Sequence, residues 1–328
     1  MCSSDLQLQS DTALRALSLA AEVRKAWIQA VAATESVRYA GQVMEAASVS
    51  AELARRMAAT GNFNKLQHAR EQSFQADATV NLARAQQWQR ASRERLTRLM
   101  GLWGEQIAFR LPERLPDPPA SLDTRTDFES LAMAQRFDVQ GARLAAERTA
   151  RSLGLTRATR FINVLEVGTA RERSNEAPDK TAWEVSLELP IFDSGNARLA
   201  RAEAVYRQAL NRAAETAITA RSEVREAWSA SRSAWEIARY HREQIVPLRQ
   251  RIAEENLLRY NGMLIGVFEL LADARAQISS VNAAIEALRD FWLAQADLDM
   301  ALIGRPVSPM GAPTLARPAD PPAHAQPH

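Results

Sequence analysis

One cysteine, Cys2, in 328 residues excludes an internal disulfide framework and a cysteine-rich metal site. Histidine is scarce too: His324 and His328 lie in the tail, and His68 and His241 fall on separate helical tracts with no partners at ligand spacing. No glycine-rich phosphate loop, nucleophile elbow or His-Glu-x-x-His motif is present, so the sequence offers neither a catalytic constellation nor a cofactor site. The pairs Asp297 and Asp299, and Glu254 and Glu255, read as solvated helix faces. Net charge is only +2, from 41 basic and 39 acidic residues without basic clustering, which argues against a nucleic-acid partner. No apolar run reaches the roughly 18 residues of a spanning helix, although this does not exclude a membrane barrel built of short alternating strands. The start, Met-Cys-Ser-Ser-Asp-Leu, lacks a basic segment, an apolar segment and a small-residue cleavage site. It reads as a mature fragment or incomplete N-terminus rather than a lipid-anchored cysteine.

Glycine is sparse at 12 residues and the 14 prolines cluster, leaving long tracts of Ala, Leu, Arg, Glu and Gln that favour helix. Residues 1–10 read as a disordered or non-native start, with Ser10 or Asp11 as an N-cap. From Asp11 to about Thr60, Leu14, Leu17, Trp27, Ile28, Val31, Val43, Leu53 and Met57 recur at helical spacing. Roughly 50 helical residues span about 75 Å, the length of a coiled-coil arm. Gly61-Asn62 breaks the run and a second helix returns to Gly101, making residues 11–101 an antiparallel hairpin with its tip near Gly61. Residues 102–126, carrying Pro112, Pro116, Pro118 and Pro119, form an extended connector. Residues 127–159 are helical. Residues 193–304 form a second hairpin with its tip at Gly262–Gly266, Asp193 or Ser194 as the opening cap, and a kink expected near Arg242–Ile245 from Pro247. The Pro- and Ala-rich tail 305–328 reads as disordered.

Residues 160–192 break the helical pattern. Trp183, Val185, Leu187, Leu189 and Ile191 alternate with Glu184, Ser186, Glu188 and Pro190, the period of a two-faced strand. Phe161–Gly168 alternates less cleanly as its partner, and the charged stretch Arg171–Lys180 links them. An isolated strand pair is at best marginally stable, so this one is expected to join others.

The halves repeat. Gly61-Asn-Phe-Asn-Lys-Leu-Gln-His-Ala-Arg-Glu-Gln72 aligns with Gly266-Val-Phe-Glu-Leu-Leu-Ala-Asp-Ala-Arg-Ala-Gln277, and Arg-Leu-Met-Gly101 aligns with Ala-Leu-Ile-Gly304. The second set of motifs, Leu258-Arg-Tyr-Asn-Gly262 with Gly266-Val-Phe-Glu-Leu-Leu271 and Leu-x-x-x-Leu-Ile-Gly304, resembles the outer membrane efflux protein family, the TolC-like channels. So do Gly154-Leu-Thr-Arg-Ala-Thr-Arg-Phe-Ile162 and Leu189-Pro-Ile-Phe-Asp-Ser-Gly195 at the two ends of the strand pair. The motifs are individually loose, and the likeness rests on their order over about Asp11–Gly304.

The resemblance implies a mainly α protein: two long antiparallel coiled-coil hairpins, plus an amphipathic strand pair contributing to a homotrimeric outer-membrane β-barrel. It implies a passive exit duct of a tripartite efflux or type I secretion system, fed by an inner-membrane transporter through a periplasmic adaptor, with outer-membrane lipid around the barrel and the helices in the periplasm. Family protomers carry two strand pairs, so the chain is expected to be an N-terminally truncated channel lacking its targeting signal. By the same resemblance Gly61, Asn62, Asn64, Tyr260, Asn261, Gly262, Gly266 and Glu269 form the tips that shape the aperture and meet the adaptor. The glycines read as turn positions needing positive φ, Tyr260 as a packed or interfacial aromatic, and Glu269 equally as a helix-start carboxylate favoured by the macrodipole. Asn64-Lys65 departs from the acid that the family often carries there. Trp183, Val185, Leu187 and Leu189 are expected to face lipid, and Glu184, Ser186 and Glu188 the lumen. The alternative is a soluble periplasmic coiled-coil adaptor or interaction protein without a pore. That class is expected to carry one hairpin flanked by β-domains, against two hairpins here.

Overall fold

The computed structural model describes residues 3–61, 64–122, 127–158, 164–172, 180–188 and 195–305. The expected tail 306–328, the strand-linking residues 173–179 and the caps Asp193 and Ser194 lie outside them. Helix α1 runs Ser3–Ala59 without interruption, a rod of about 85 Å at the usual rise, and α2 (Lys65–Met100) returns along it. The expected start at Asp11 is therefore too late. Nothing between Ser3 and Asp11 is Gly or Pro, so a helix nucleated downstream propagates at little cost to the end. Gly101 closes α2 in the left-handed conformation at φ 66°, with its N–H and that of Leu102 donating to Arg98 O and Thr97 O.

The connector follows, opening with a 3-10 turn at Gly104–Ile107. It is strapped to the helices rather than free. The Trp292 and Trp235 indoles each donate to a proline carbonyl, Pro116 O and Pro119 O, both at 2.8 Å. Arg38 of α1 pairs with Glu113 at 2.9 Å, and Arg93 of α2 stacks on Phe109 at 4.1 Å. Leu115 inserts fully into a cluster with Ile28, Val31 and Ala32 of α1 and Ala296. These contacts account for an extended segment that has no hydrogen-bonded ladder of its own.

The single helix expected over 127–159 is two: α3 (Phe128–Gln135) and α4 (Phe137–Ala158). They are split at Arg136, whose backbone is extended at φ −63°, ψ 123°. The Arg136 guanidinium explains the break. Only 1% exposed, it donates to both Asp138 carboxylate oxygens, Glu223 Oε2, Ala220 O and Ala301 O. A continuous helix would swing that group away from Glu223 and Ala301.

Strands β1 (Val164–Glu172) and β2 (Lys180–Glu188) form an antiparallel two-stranded sheet. Its register sets Trp183, Val185 and Leu187 opposite Thr169, Val167 and Leu165. The alternate positions Glu184, Ser186 and Glu188 stand opposite Gly168, Glu166 and Val164. The polar and apolar parities of the two strands thus coincide over most of the ladder.

Helix α5 (Asn196–Tyr240) leads into a π turn at His241–Ile245 and then α6 (Val246–Asn261), and α7 (Val267–Ile303) returns. The π turn falls on the kink expected from Pro247. The Val246 N–H reaches back five residues to His241 O, a wider ring that accommodates a proline without an N–H one position later. Helices α5 and α7 pack on each other, α7 also packs on α1, and α3 and α4 pack on α5. The buried clusters concentrate at one level, where α1 (Ala26–Ala33), α2 (Leu96), α5 (Val224–Ala238) and α7 (Ala287–Ala301) meet the connector and α3. We call this level the girdle. Asp297 and Asp299, read above as solvated, instead pair with Lys25 and Arg24 and tie α7 to α1 there.

Candidate functional site

The two tips, at the far end of both hairpins from the strand pair, are the expected contact region, and they are built differently. At the first, Gly61 sits at φ +80° and its N–H donates to Ala58 O at 3.1 Å, so a left-handed residue ends α1 as expected. Asn64 caps α2: its Oδ1 accepts from Gln67 N at 2.8 Å, while Gln67 Oε1 accepts from Asn64 N at 3.0 Å. This reciprocal box satisfies two orphan donors and gives Asn64 a structural task, in a first turn that carries no acid. Asn62 lies outside the described residues.

At the second tip the expectation for the glycines fails. Gly262 has φ −79° and Gly266 φ −80°, ψ 161°, ordinary conformations for any residue. The left-handed position is Met263, at φ 58° and 93% exposed. Met263 N and Leu264 N donate to Tyr260 O and Arg259 O, so the chain closes α6 as a Schellman motif whose pivot is one residue later than the glycine. The pivot follows from where α6 runs out, and a non-glycine there carries backbone strain. Gly266 is the N-cap of α7 and offers no side-chain cap; Glu269 is the first-turn acid, positioned to complement the helix dipole. Tyr260 and Asn261 are exposed.

Apolar surface is concentrated at this second tip. Leu257, Leu258, Met263 and Leu264 are all more than half exposed, and α6 buries no residue at all. Near the tips one buried node joins the hairpins, which sequence reasoning missed. Glu71 of α2, 2% exposed, accepts from Ser50 Oγ of α1 at 2.7 Å and from Arg275 of α7 at 2.6 Å, and that guanidinium lies over the Phe74 ring at 4.5 Å. The repeat holds a faint signal for it, since Arg275 and Arg70 align while Ala276 replaces Glu71. Only one hairpin carries the carboxylate.

Elsewhere, hydrogen bonds from Arg56 and Arg55 hold the exposed Glu52 carboxyl below its usual range. Arg136 is held above the usual arginine value by Asp138 and Glu223 against the opposing effect of burial. Among the described residues no group of His, Cys, Asp and Glu could hold a metal, and no helix is long and apolar enough to cross a membrane. The strand calls Trp183, Val185, Leu187, Glu184, Ser186 and Glu188 fall on the described ladder, which fixes their parity. Leu189 lies outside it.

The described residues thus form two helical hairpins joined by a strapped connector, with a strand hairpin at the opposite end from the tips. No family model matches the sequence, and no curated protein does. Solved structures match it along nearly its whole length. A membrane protein from Pseudomonas aeruginosa is 21% identical with a TM-score of 0.79, over 92% of this chain and 70% of that one. The outer membrane protein VceC from Vibrio cholerae is 18% identical at 0.76, over 92% and 74%. The MtrE outer membrane channel of Neisseria gonorrhoeae, in its open state, is 21% identical at 0.74, over 92% and 69%. At these identities the likeness is one of fold.

Proposed function

We propose that the chain is a TolC-like outer-membrane channel subunit of a tripartite efflux or type I secretion system. The observation that carries this reading is the pairing of two tip-bearing hairpins with one parity-matched strand hairpin, in the fold of solved outer-membrane channels. In it, three copies form a duct with the strands in the outer membrane and the helices in the periplasm of a Gram-negative cell. Trp183, Val185, Leu187 and Leu189 face lipid, and Glu184, Ser186 and Glu188 face the lumen, the alternation a membrane barrel requires. A two-stranded sheet has two open edges, which in a bilayer must be closed by further strands. Gly61, Asn62, Asn64, Tyr260, Asn261, Gly262, Gly266 and Glu269 lie at the aperture end, where a periplasmic adaptor docks and passes on cargo from an inner-membrane transporter. The chain performs no chemistry; pore width, lumen charge and tip opening set what passes.

The test is expression with a periplasmic signal sequence in a Gram-negative host, followed by fractionation and planar-bilayer recording. An outer-membrane trimer is the expected result, with stepwise conductance when a second strand pair is fused to the chain to close the open sheet edges. A soluble monomer without conductance overturns the reading and returns the chain to the class of coiled-coil interaction proteins.

A further inference from the structure

Under the strap at the girdle lies a cavity of about 270 Å³, lined by Glu35 of α1, Arg114 and Asp117 of the connector, Arg242 of the π turn, Val246 and Ile285. Its charges are unevenly shared. Asp117 takes both arginines, Arg114 at 2.6 Å and Arg242 at 3.1 Å. Glu35 takes none: its Oε2 is buried without a hydrogen-bond partner. Arg38, one turn along α1, is engaged outward by Glu113. The wall from α7, Val281, Ala284, Ile285 and Leu288, brings no charge. Two carboxyls thus compete for two arginines in one small space, and one carboxyl has lost. Ionising that carboxyl with its buried oxygen unpartnered is costly, so a neutral carboxyl or a new partner is favoured.

We infer that Arg242 is the shared arm of a proton-controlled clasp. It holds Asp117, and with it the connector, while the Glu35 carboxyl is neutral, and it turns to Glu35 once that carboxyl ionises. The structure shows Arg242 on Asp117, with Glu35 Oε2 unpartnered. Arg242 stands within the π turn, a kind of helix irregularity frequent at functional sites. Burial pushes the Glu35 carboxyl up and Asp117 adds to this, against Arg38 and Arg114, which pull it down. Acid therefore favours the clasped state, and the clasp loosens as pH rises through the Glu35 titration. This is a property of the girdle itself and does not depend on the chain being a duct.

Two native reporters sit on the strap, because the Trp235 and Trp292 indoles donate to Pro119 O and Pro116 O. The full chain, labelled with 5-fluorotryptophan, is titrated by ¹⁹F NMR, with these two resonances assigned by Trp235→Phe and Trp292→Phe. Both are expected to shift with one common midpoint above the ordinary carboxylate range, while exposed Trp103 stays fixed. Glu35→Gln removes the ionisable group and Arg242→Gln removes the arm, so the step is lost in each, with helix content followed by circular dichroism. A wild-type titration without a step overturns the clasp. So does a step that survives unchanged in either variant.

Discussion

The two hairpins descend from one pattern yet are stiffened in different ways. In the register that aligns Gly61 with Gly266, Gln42 stands where Pro247 stands. Helix α1 runs straight through that level, whereas its counterpart is split into α5, a π turn and α6. Below the girdle α1 still buries Ala47, Ser50, Ala51 and Ala54, small residues that let α2 approach closely. The second hairpin buries nothing in α6 and ends in a strained, apolar turn. One hairpin is thus a closed rod. The other is anchored at the girdle and held near its tip by Arg275 and the Asn256–Asp273 contact. Function that needs movement has its low-stability element in the second hairpin.

The comparison breaks most severely at the anchor. Arg136→Met should cost about 3–5 kcal/mol, because Asp138 loses its charge partner, Glu223 keeps only Arg305 at 3.9 Å, and two carbonyls lose a donor. Denaturant unfolding measures it, and a loss below about 1 kcal/mol would mean that α5 and α7 hold themselves together without Arg136. Writing the second hairpin's device into the first comes next. Gln42→Pro should cost about 3 kcal/mol in unfolding free energy, whereas Pro247→Ala should leave stability within about 1 kcal/mol and restore regular helical hydrogen bonding, seen as slower amide exchange over 241–247. Arg275→Ala should cost about 2 kcal/mol, less than a fully buried pair because the guanidinium is partly exposed. Arg275→Leu combined with Glu71→Leu should recover much of that loss, since no buried charge is then left unpaired.

The tips separate the hairpins more finely. Gly61→Ala should cost about 1 kcal/mol for its left-handed backbone, while Gly262→Ala should cost only a few tenths, its new Cβ meeting Leu258 O at an ordinary 3.4 Å. Equal losses in thermal melts would contradict the placement of the pivot at Met263. The smallest effect concerns Glu35. Its folded-state titration lies above the unfolded one, so its burial is harmless in acid and becomes a penalty as pH rises through the folded value. Glu35→Gln should therefore match wild type in acid and unfold at higher denaturant concentration at neutral pH.

Much of this organisation is legible in the residues. Periodicity and glycine positions mark both hairpins, Pro247 marks the kink, and alternation in Trp183–Glu188 marks β2. The part that escapes is whatever long-range partners decide. Nothing in the sequence singles out Arg136, because Glu223 and Ala301 are brought to it from far along the chain. Met263 becomes left-handed because of where α6 runs out of hydrogen-bonded turns, and the neighbouring glycine disguises this. Asp297 and Asp299 read as solvated because Lys25 and Arg24 lie at the other end of the sequence. Side-chain identity carries period and punctuation. It does not carry which buried charges will meet.

The clasp of the two tryptophans on the strap has a consequence of another kind. Each indole addresses a main-chain oxygen, an atom every amino acid possesses. At these two points what is held is therefore the path of the connector rather than its spelling. Residues 116 and 119 can be exchanged for any that keep the chain extended, while the connector's own side-chain attachments lie at Phe109, Glu113 and Leu115. A segment recognised in this way is free to vary its outward face, and so to be fitted to new neighbours, without renegotiating its attachment to the helices beneath.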